Sequence, residues 1–421
     1  MATFSFRKNK ALYLSGKNLS KRSFRLNQRD YKNPLIVIVA YVRCIKAFIS
    51  SERVNAVSSD SGDFIYDLNP DSKQIRTDYI KHFTGNKVDT YLSKEFLMGD
   101  LNFLSKLLIC ITYSILVLPF FIFTLFSKNK APLSLIFREV IENAVLLNLV
   151  AKHKLNNCYF FSIYEKDSNF AAYLLMNAGV KVVKIPSEVP FYFFNTTIVC
   201  DKLIICNAYQ FEEKEFYKDT ILCKETEMWG PERVTDYHEI YKSNNFKIQR
   251  NVIAFYSTAS WVREKEGHLN QGTEMVKNEK LLLNYLNKYL SERKDLKLII
   301  YTHPKEKSEK YLNETKQYYN AVLKGVDFDY ADFSTLSAAG FYNAELAVAF
   351  NSTLVHERLY FCFKTLILPL DHPGFPLKNS SFNNICAYSE EELFLKMDKA
   401  LKQSEVEFFE TNGLTNYRFK N

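Results

Sequence analysis

Short apolar strands alternate with amphipathic helical stretches along most of this 421-residue chain, and that alternation constrains the fold more than any other feature. Strands separated by helices cannot close as hairpins, so they pair in parallel with helices on the sheet faces. In the first half, "NPLIVIVAYVRC" (33–44) and "NCYFFSIY" (157–164) read as strands, with the helical spacing of "SLIFREVIENAVLLNLVAKHKL" (134–155) between them. "SNFAAYLLMNAG" reads as a helix capped by Ser168 or Asn169 at its start and Gly179 at its end, and the strands "VKVVKI" and "DKLIICNA" follow. The polar stretch "HEIYKSNNFKIQRN" (238–251) reads as a linker. Beyond it the alternation restarts. "NVIAFYS", "LKLIIYT", "VDFDY", "AELAVAF" and "KTLILPL" are strands. "NEKLLLNYLNKYLSER" (278–293) is a helix with Leu281, Leu282, Tyr285, Leu286 and Tyr289 on one face, and "STLVHERLYFC" is another. "SEEELFLKMDKALKQ" closes the pattern, with Ser389 and Glu392 spaced as a capping box. The expectation is an α/β chain with two doubly wound, Rossmann-like domains, residues 33–245 and 246–421, behind an N-terminal arm of residues 1–32.

The arm is basic. It holds nine Lys and Arg against Asp30 alone, leaving 46 basic and 46 acidic residues elsewhere out of totals of 55 and 47. A balanced body with a basic arm does not suit a nucleic-acid partner, which needs a basic face. The arm suits an anionic membrane surface, where each Lys or Arg contributes about 1 kcal/mol; a solvated tail is the alternative. "LLICITYSILVLPFFIFTLF" (107–126) is uncharged throughout and flanked by Lys106, Lys128 and Lys130. Three readings stay open for it: a hairpin broken at Pro119 that dips into one leaflet, two buried core helices, or a membrane span. None of the eight cysteines forms a CxxC, and most lie in apolar runs, as buried thiols of a reducing compartment would. The first residues, "MATFSFRKNKALYLSGK", lack the apolar core of a signal peptide. The expected place is the cytoplasm, peripheral or monotopic at the inner face of the plasma membrane.

Ligands of doubly wound sheets collect beyond the carboxyl ends of the strands, so the residues after each second-half strand are the candidates. "YSTASWVREKEG" (256–267) offers Ser257, Thr258 and Ser260, small hydroxylated residues that let a phosphate or sugar approach the backbone, or simply a strand-to-helix turn. In "IIYTHPKEK" (299–307), Pro304 biases His303 toward an extended backbone, where the imidazole can donate to a phosphate oxygen and, protonated, neutralise its charge. The bland reading is a histidine that caps the next helix. In "FNSTLVHERL" (350–359), Asn351, Ser352 and Thr353 open a helix whose free N–H groups favour an anion, and Glu357 lies one turn on, within reach of a ribose or base. Plain capping roles compete with that reading. "DFDYAD" places Asp327, Asp329 and Asp332 close together, a pattern better suited to edge solubility than to a metal. No metal site and no cofactor is expected.

An HP dipeptide after one strand, followed 49 residues later by N-S-T opening a helix, resembles the second half of the bacterial sialyltransferases, polysialyltransferases and capsule Kdo transferases. The resemblance covers about residues 250–390. It implies a GT-B-like fold, two Rossmann-like domains facing a central cleft. It implies that His303 with Pro304, and Ser352 with Thr353, hold the phosphate of a CMP-sugar. CDP-glycerol glycerophosphotransferases share similar elements. The families also carry two acids and a glycine in the first half, supplying a general base; this sequence departs from that pattern. "SSDSGDF" has Asp60 but Ser61 intervenes, and Glu165, Asp167 and Glu188 follow strands, so Asp60, Glu165, Asp167 and Glu188 all remain candidates. The resemblance implies an inverting, metal-independent glycosyltransferase that moves a CMP-activated acidic sugar (sialic acid, another nonulosonic acid or Kdo) to a capsule or lipopolysaccharide acceptor, a glycan or glycolipid. The alternatives are a CDP-glycerol-type polyol-phosphate transferase and a non-catalytic, membrane-associated protein with a degenerate transferase fold.

Overall fold

A computed structural model describes residues 62–66, 73–92, 102–108, 153–161, 166–185, 198–216, 221–231, 246–267, 269–332, 337–350, 352–370 and 380–417, with scattered residues among 42–46, 110–115, 146–150 and 237–241. The chain divides into two compact units. One comprises residues 1–187, 193–204 and 217–227, the other 188–192, 205–216 and 228–421. Each is built on a sheet of parallel strands, so the fold class is α/β with two Rossmann-like units, the class expected of a GT-B-like chain.

The first unit holds β1 (Asp63–Tyr66), β2 (Thr90–Leu92), β3 (Asn157–Phe160), β4 (Lys181–Lys184), β5 (Ile198–Ile205) and β6 (Ile221–Met228), in the order β2-β1-β3-β4-β5-β6. The strands from β2 to β5 pair in parallel. α1 (Lys73–Thr84) crosses from β1 to β2 and α2 (Lys166–Asn177) from β3 to β4. Phe64, Ile65, Cys158, Phe160 and Val182 are buried, as in the middle of a covered parallel sheet, whereas the edge strand β6 is mostly exposed. α2 begins at Lys166, ahead of the expected caps Ser168 and Asn169, while Gly179 closes it in the left-handed conformation expected of it (φ 85°). Of 33–44, read as a strand, only Val42 is described, and it is helical.

The second unit begins with α3 (Ala208–Phe216) and then alternates. Its elements are β7 (Val252–Tyr256), α4 (Ser260–Lys265), α5 (Leu269–Glu292), β8 (Lys297–Tyr301), α6 (Pro304–Lys307), α7 (Leu312–Val322), β9 (Phe328–Tyr330), a 3-10 turn (Ser337–Asn343), β10 (Leu346–Ala349), α8 (Thr353–Tyr360), β11 (Thr365–Ile367), α9 (Glu390–Lys402) and α10 (Glu405–Thr411). The sheet order is β11-β10-β7-β8-β9, all parallel. Counted along this unit it is 3-2-1-4-5, the Rossmann order, with its switch point between β7 and β10.

The helices seat by their apolar faces, with some rotation from expectation. On α5 the buried stripe is Leu282, Leu283, Leu286, Tyr289 and Leu290, while Leu281 and Tyr285 lie at its margin. Ser389 caps α9 by accepting from the Glu392 N–H at 3.2 Å, but the Glu392 carboxylate reaches the Tyr388 N–H at 2.9 Å, one residue short of a capping box. The far end of α9 is closed from outside: buried Lys364 donates to the carbonyls of Ala400 (2.8 Å) and Gln403 (2.7 Å) and to Glu345 (3.0 Å). The stretch read as a linker is anchored at Tyr241, a buried ring whose hydroxyl bonds the Ala338 carbonyl and accepts from the Phe341 N–H at 3.2 Å. An aromatic residue in a polar stretch was the missed signal, since burying so large a ring fixes the chain around it.

Gly230 is held at φ 98°, and a Cβ there would lie 2.5 Å from the Tyr360 ring. We expect Gly230→Ala to lower stability by about 1–3 kcal/mol through backbone strain and overpacking together. A urea midpoint indistinguishable from wild type would contradict that packing.

Candidate functional site

Three segments leave the carboxyl edge of the second sheet on neighbouring strands: 257–259 after β7, 302–303 after β8, and Phe350 and Ser352 after β10. Register aligns the strand ends, with Tyr256 beside Tyr301 on one side and Ala349 on the other. The sheet therefore brings the HP motif, the hydroxylated loop and the Ser352–Thr353 helix start to one edge, at and beside the switch point where such sheets bind ligands.

His303 is the N-cap of α6, extended at φ −67° and ψ 151° as the following proline requires. Its Nδ1 accepts from the Lys305 N–H at 3.1 Å, and its own N–H donates to Glu306 at 2.8 Å, completing a capping box. A ring accepting at Nδ1 carries its proton at Nε2 when neutral. Among the described residues Nε2 has no partner. Burial, aided by the charges of Arg263 and Lys305, pushes the imidazole pKa down to about 4. The capping role and the ligand role are thus compatible, since one nitrogen performs each. A ring lowered that far is neutral near pH 7 in the free chain, which favours the neutral donor role over the imidazolium role.

The hydroxylated loop is turned inward. Glu279 of α5, fully buried, accepts from the Thr258 N–H (2.7 Å), the Thr258 hydroxyl (2.6 Å) and the Ser260 hydroxyl (2.6 Å). Burial raises its pKa against the pull of those donors. The Ser257 hydroxyl oxygen accepts from the Ala259 N–H at 2.9 Å. Ala259 sits in the left-handed region (φ 54°, ψ 36°), which costs a residue with a Cβ about 1–2 kcal/mol. The side chains of Thr258 and Ser260 are committed to shaping this turn, and its backbone N–H groups are bonded as well, Ser257 to the Tyr301 carbonyl, Thr258 and Ser260 to Glu279, and Ala259 to Ser257.

A second buried carboxylate ties the loops together. Glu306 accepts from His303 through one oxygen, and through the other from Trp261 Nε1 (2.6 Å) and the Tyr319 hydroxyl (3.1 Å). Burial and the negative charge of Glu279 push it up to about 7. Its value when unfolded is near 4.5, so its contribution to stability is full below that pH and is lost as pH rises through about 7. His303 acts in the opposite sense: depressed to about 4, it favours the fold above its unfolded value of 6.5, and that contribution is lost as pH falls toward 4. We expect Glu306→Gln to gain on wild type by about 1–3 kcal/mol between pH 5 and 8. Urea unfolding of both proteins at each pH measures the difference, and a constant offset would show that Glu306 does not titrate there.

At the third loop Ser352 is the N-cap of α8, accepting from the Leu354 N–H at 3.3 Å. Its hydroxyl proton stays available as a donor. Thr353 is the first residue of α8, and Glu357 is buried one turn on. His356, buried between Tyr209 (4.6 Å) and Phe382 (5.2 Å), has a pKa depressed by burial to about 3, as a core histidine would.

Among the base candidates, Asp60, Glu165 and Glu188 lie outside the described residues, and Asp167 lies in the first turn of α2 in the first unit. Asn351 is also outside them, as is most of 107–126, and no described helix is long and apolar enough to cross a membrane. Asp329 pairs with Lys297 on the adjacent strand at 2.5 Å, and among the described residues no cluster of three His, Cys, Asp or Glu could hold a metal. Sequence reading missed both buried carboxylates. Glu306 was findable as the third residue after an N-cap, whereas nothing in "VKNEKLLL" separates Glu279 from a solvated glutamate.

No family model matches the chain, and no curated protein matches it closely enough to count as a relative. Solved structures similar to it include UDP-GlcNAc 2-epimerase from Neisseria meningitidis bound to UDP-GlcNAc, at 8% identity, covering 84% of this chain and 94% of that one with a TM-score of 0.44. The S. aureus MnaA–UDP structure stands at 10% identity, 85% and 92% coverage and a TM-score of 0.43. MurG of Acinetobacter baumannii stands at 9%, 84% and 93%, and 0.43. Likenesses this low carry no argument about substrate or chemistry, so the functional reading rests on the second unit's own residues.

Proposed function

We propose that the chain is a glycosyltransferase whose second unit binds the nucleotide-sugar donor, with the donor phosphate at the edge formed by the loops after β7, β8 and β10. The observation that carries this reading is His303, whose Nδ1 is fixed by the Lys305 N–H while Nε2 has no partner among the described residues at that edge. A rigid neutral donor aimed by its own cap suits an oxygen on which charge grows as the leaving group departs. The buried Thr302 hydroxyl, one residue earlier, also has no partner among the described residues. Ser352 and Thr353 would add donors from the start of α8, and Glu357 would meet the ribose or base. Pro304 holds the His303 backbone extended, and Ser257, Thr258 and Ser260 shape the loop that receives the phosphate.

A CMP-activated acidic sugar is the donor favoured by the HP and N-S-T pair. Direct attack by an acceptor hydroxyl would displace CMP with inversion at the anomeric carbon. Asp60, Glu165, Asp167 and Glu188 are the carboxylates to test as base, and a glycan or glycolipid at a membrane surface is the acceptor suggested by the basic arm. Calorimetric binding and donor-hydrolysis assays with CMP-, CDP-, UDP- and GDP-linked donors test the reading. Binding of CMP or a CMP-sugar with release of CMP is the expected result. Selective binding of UDP or GDP donors would overturn the cytidine assignment, CDP-glycerol turnover would make the chain a polyol-phosphate transferase, and indifference to every nucleotide would end the transferase reading.

A further inference from the structure

Displacing a nucleotide from an anomeric carbon leaves at least one full negative charge on phosphate, yet His303 is neutral at working pH. Among the charged groups at this edge, Lys305 is paired with Glu266 at 2.6 Å. Glu279 and Glu306 are buried beneath the loops. Arg263 remains. It lies on α4, and its Nε donates to the Thr258 carbonyl at 3.1 Å, which pins the guanidinium beside the turn that follows β7. α4 and α6 are held side by side by the Trp261–Glu306 bond (2.6 Å) and the Glu266–Lys305 pair. That places Arg263 near His303, close enough for its charge to bear on the ring. Among the described residues no carboxylate pairs with Arg263, and neither Nη atom has a partner.

We propose that Arg263 is the cation that receives the donor phosphate, its two free Nη groups facing the anion while His303 contributes a neutral Nε2–H beside it. A guanidinium anchored through Nε keeps its remaining donors in a fixed plane, the geometry suited to two phosphate oxygens. The division of labour also explains why His303 can serve as a cap. A histidine needed as a cation could not accept a hydrogen bond at Nδ1, whereas a neutral one beside an arginine can. This assignment rests on the phosphate site proposed above.

The test is isothermal titration of the full chain with CMP and, as a phosphate-free probe, cytidine. Wild type, Arg263→Gln, Arg263→Lys and His303→Gln are compared at two salt concentrations. The expected result is at least a tenfold loss of CMP affinity in Arg263→Gln, with cytidine binding unchanged and the salt dependence of CMP binding reduced. Arg263→Lys, which keeps the charge, should recover much of the loss. Cytidine binding also reports that each variant is folded. Wild-type CMP affinity and salt dependence in Arg263→Gln, with loss in His303→Gln, would overturn the assignment and leave the phosphate site standing. Failure of wild type to bind any of CMP, UMP or GMP would overturn both.

Discussion

Arg358→Met should destabilise the second unit by about 3–5 kcal/mol, the range reached when a buried hydrogen-bond network is broken and its acceptors are left unpaired. Arg358 of α8 is completely buried. It donates to the carbonyls of Phe341 (2.8 Å), Ala344 (3.2 Å) and Lys364 (3.3 Å), to the Thr365 hydroxyl (3.3 Å) and to the Tyr256 hydroxyl (3.3 Å). Its guanidinium also lies 5.2 Å from the Phe363 ring and 5.4 Å from that of Phe341. Methionine fills much of the volume but leaves three buried carbonyls with one acceptor site empty, each costing about 1–3 kcal/mol if no water enters. The arginine joins β7, the turn before β10, α8 and β11, so its loss should loosen the two strands on either side of the switch point. Urea unfolding followed by tyrosine fluorescence measures the change. A loss below about 1 kcal/mol would show that the network is dispensable.

His303→Ala should lower donor turnover by about a hundredfold, or roughly 3 kcal/mol of transition-state stabilisation, as removal of one oriented donor commonly does. It also deletes the N-cap of α6, a loss of about 1 kcal/mol in stability. His303→Asn separates the two effects, because asparagine caps a helix but places its amide nitrogen differently from Nε2. The expected outcome is near-normal stability with impaired turnover in the asparagine variant, and both defects in the alanine variant. If His303→Ala turns over donor like wild type, the imidazole does not touch the reacting phosphate. Between pH 5.5 and 8 the effect of the mutation should be constant, because a ring with a pKa near 4 does not change charge there.

The strands of the second unit were legible because their residues are apolar on both faces. Runs such as "NVIAFYS" and "AELAVAF" have no other stable place than the middle of a covered parallel sheet. Local chemistry also marked the caps, and Ser352 and Ser389 cap the helices their positions suggested. His303 was visible as a residue held extended before proline, but which nitrogen faces the helix was not. The hydroxylated loop misled for a related reason. "STAS" looks the same whether its hydroxyls face a ligand or a buried carboxylate, and Glu279, which takes them, lies a helix away. The stripe on α5 rotated because Leu283 and Leu290 also found partners, and spacing alone does not say how wide a face the neighbours will cover.

The sequence alone determined that this chain folds as parallel α/β units and that a histidine, a serine and a threonine would follow second-half strands. Those properties depend on hydrophobic period, proline and capping chemistry, all of which act within a few residues. Only the tertiary structure decided that His303 and the start of α8 follow the two strands that flank β7, because strand order is set by long-range pairing. Only it decided the charges: burial, which no local pattern specifies, keeps His303 neutral and lifts Glu306, and among the described residues Arg263 beside them pairs with no carboxylate.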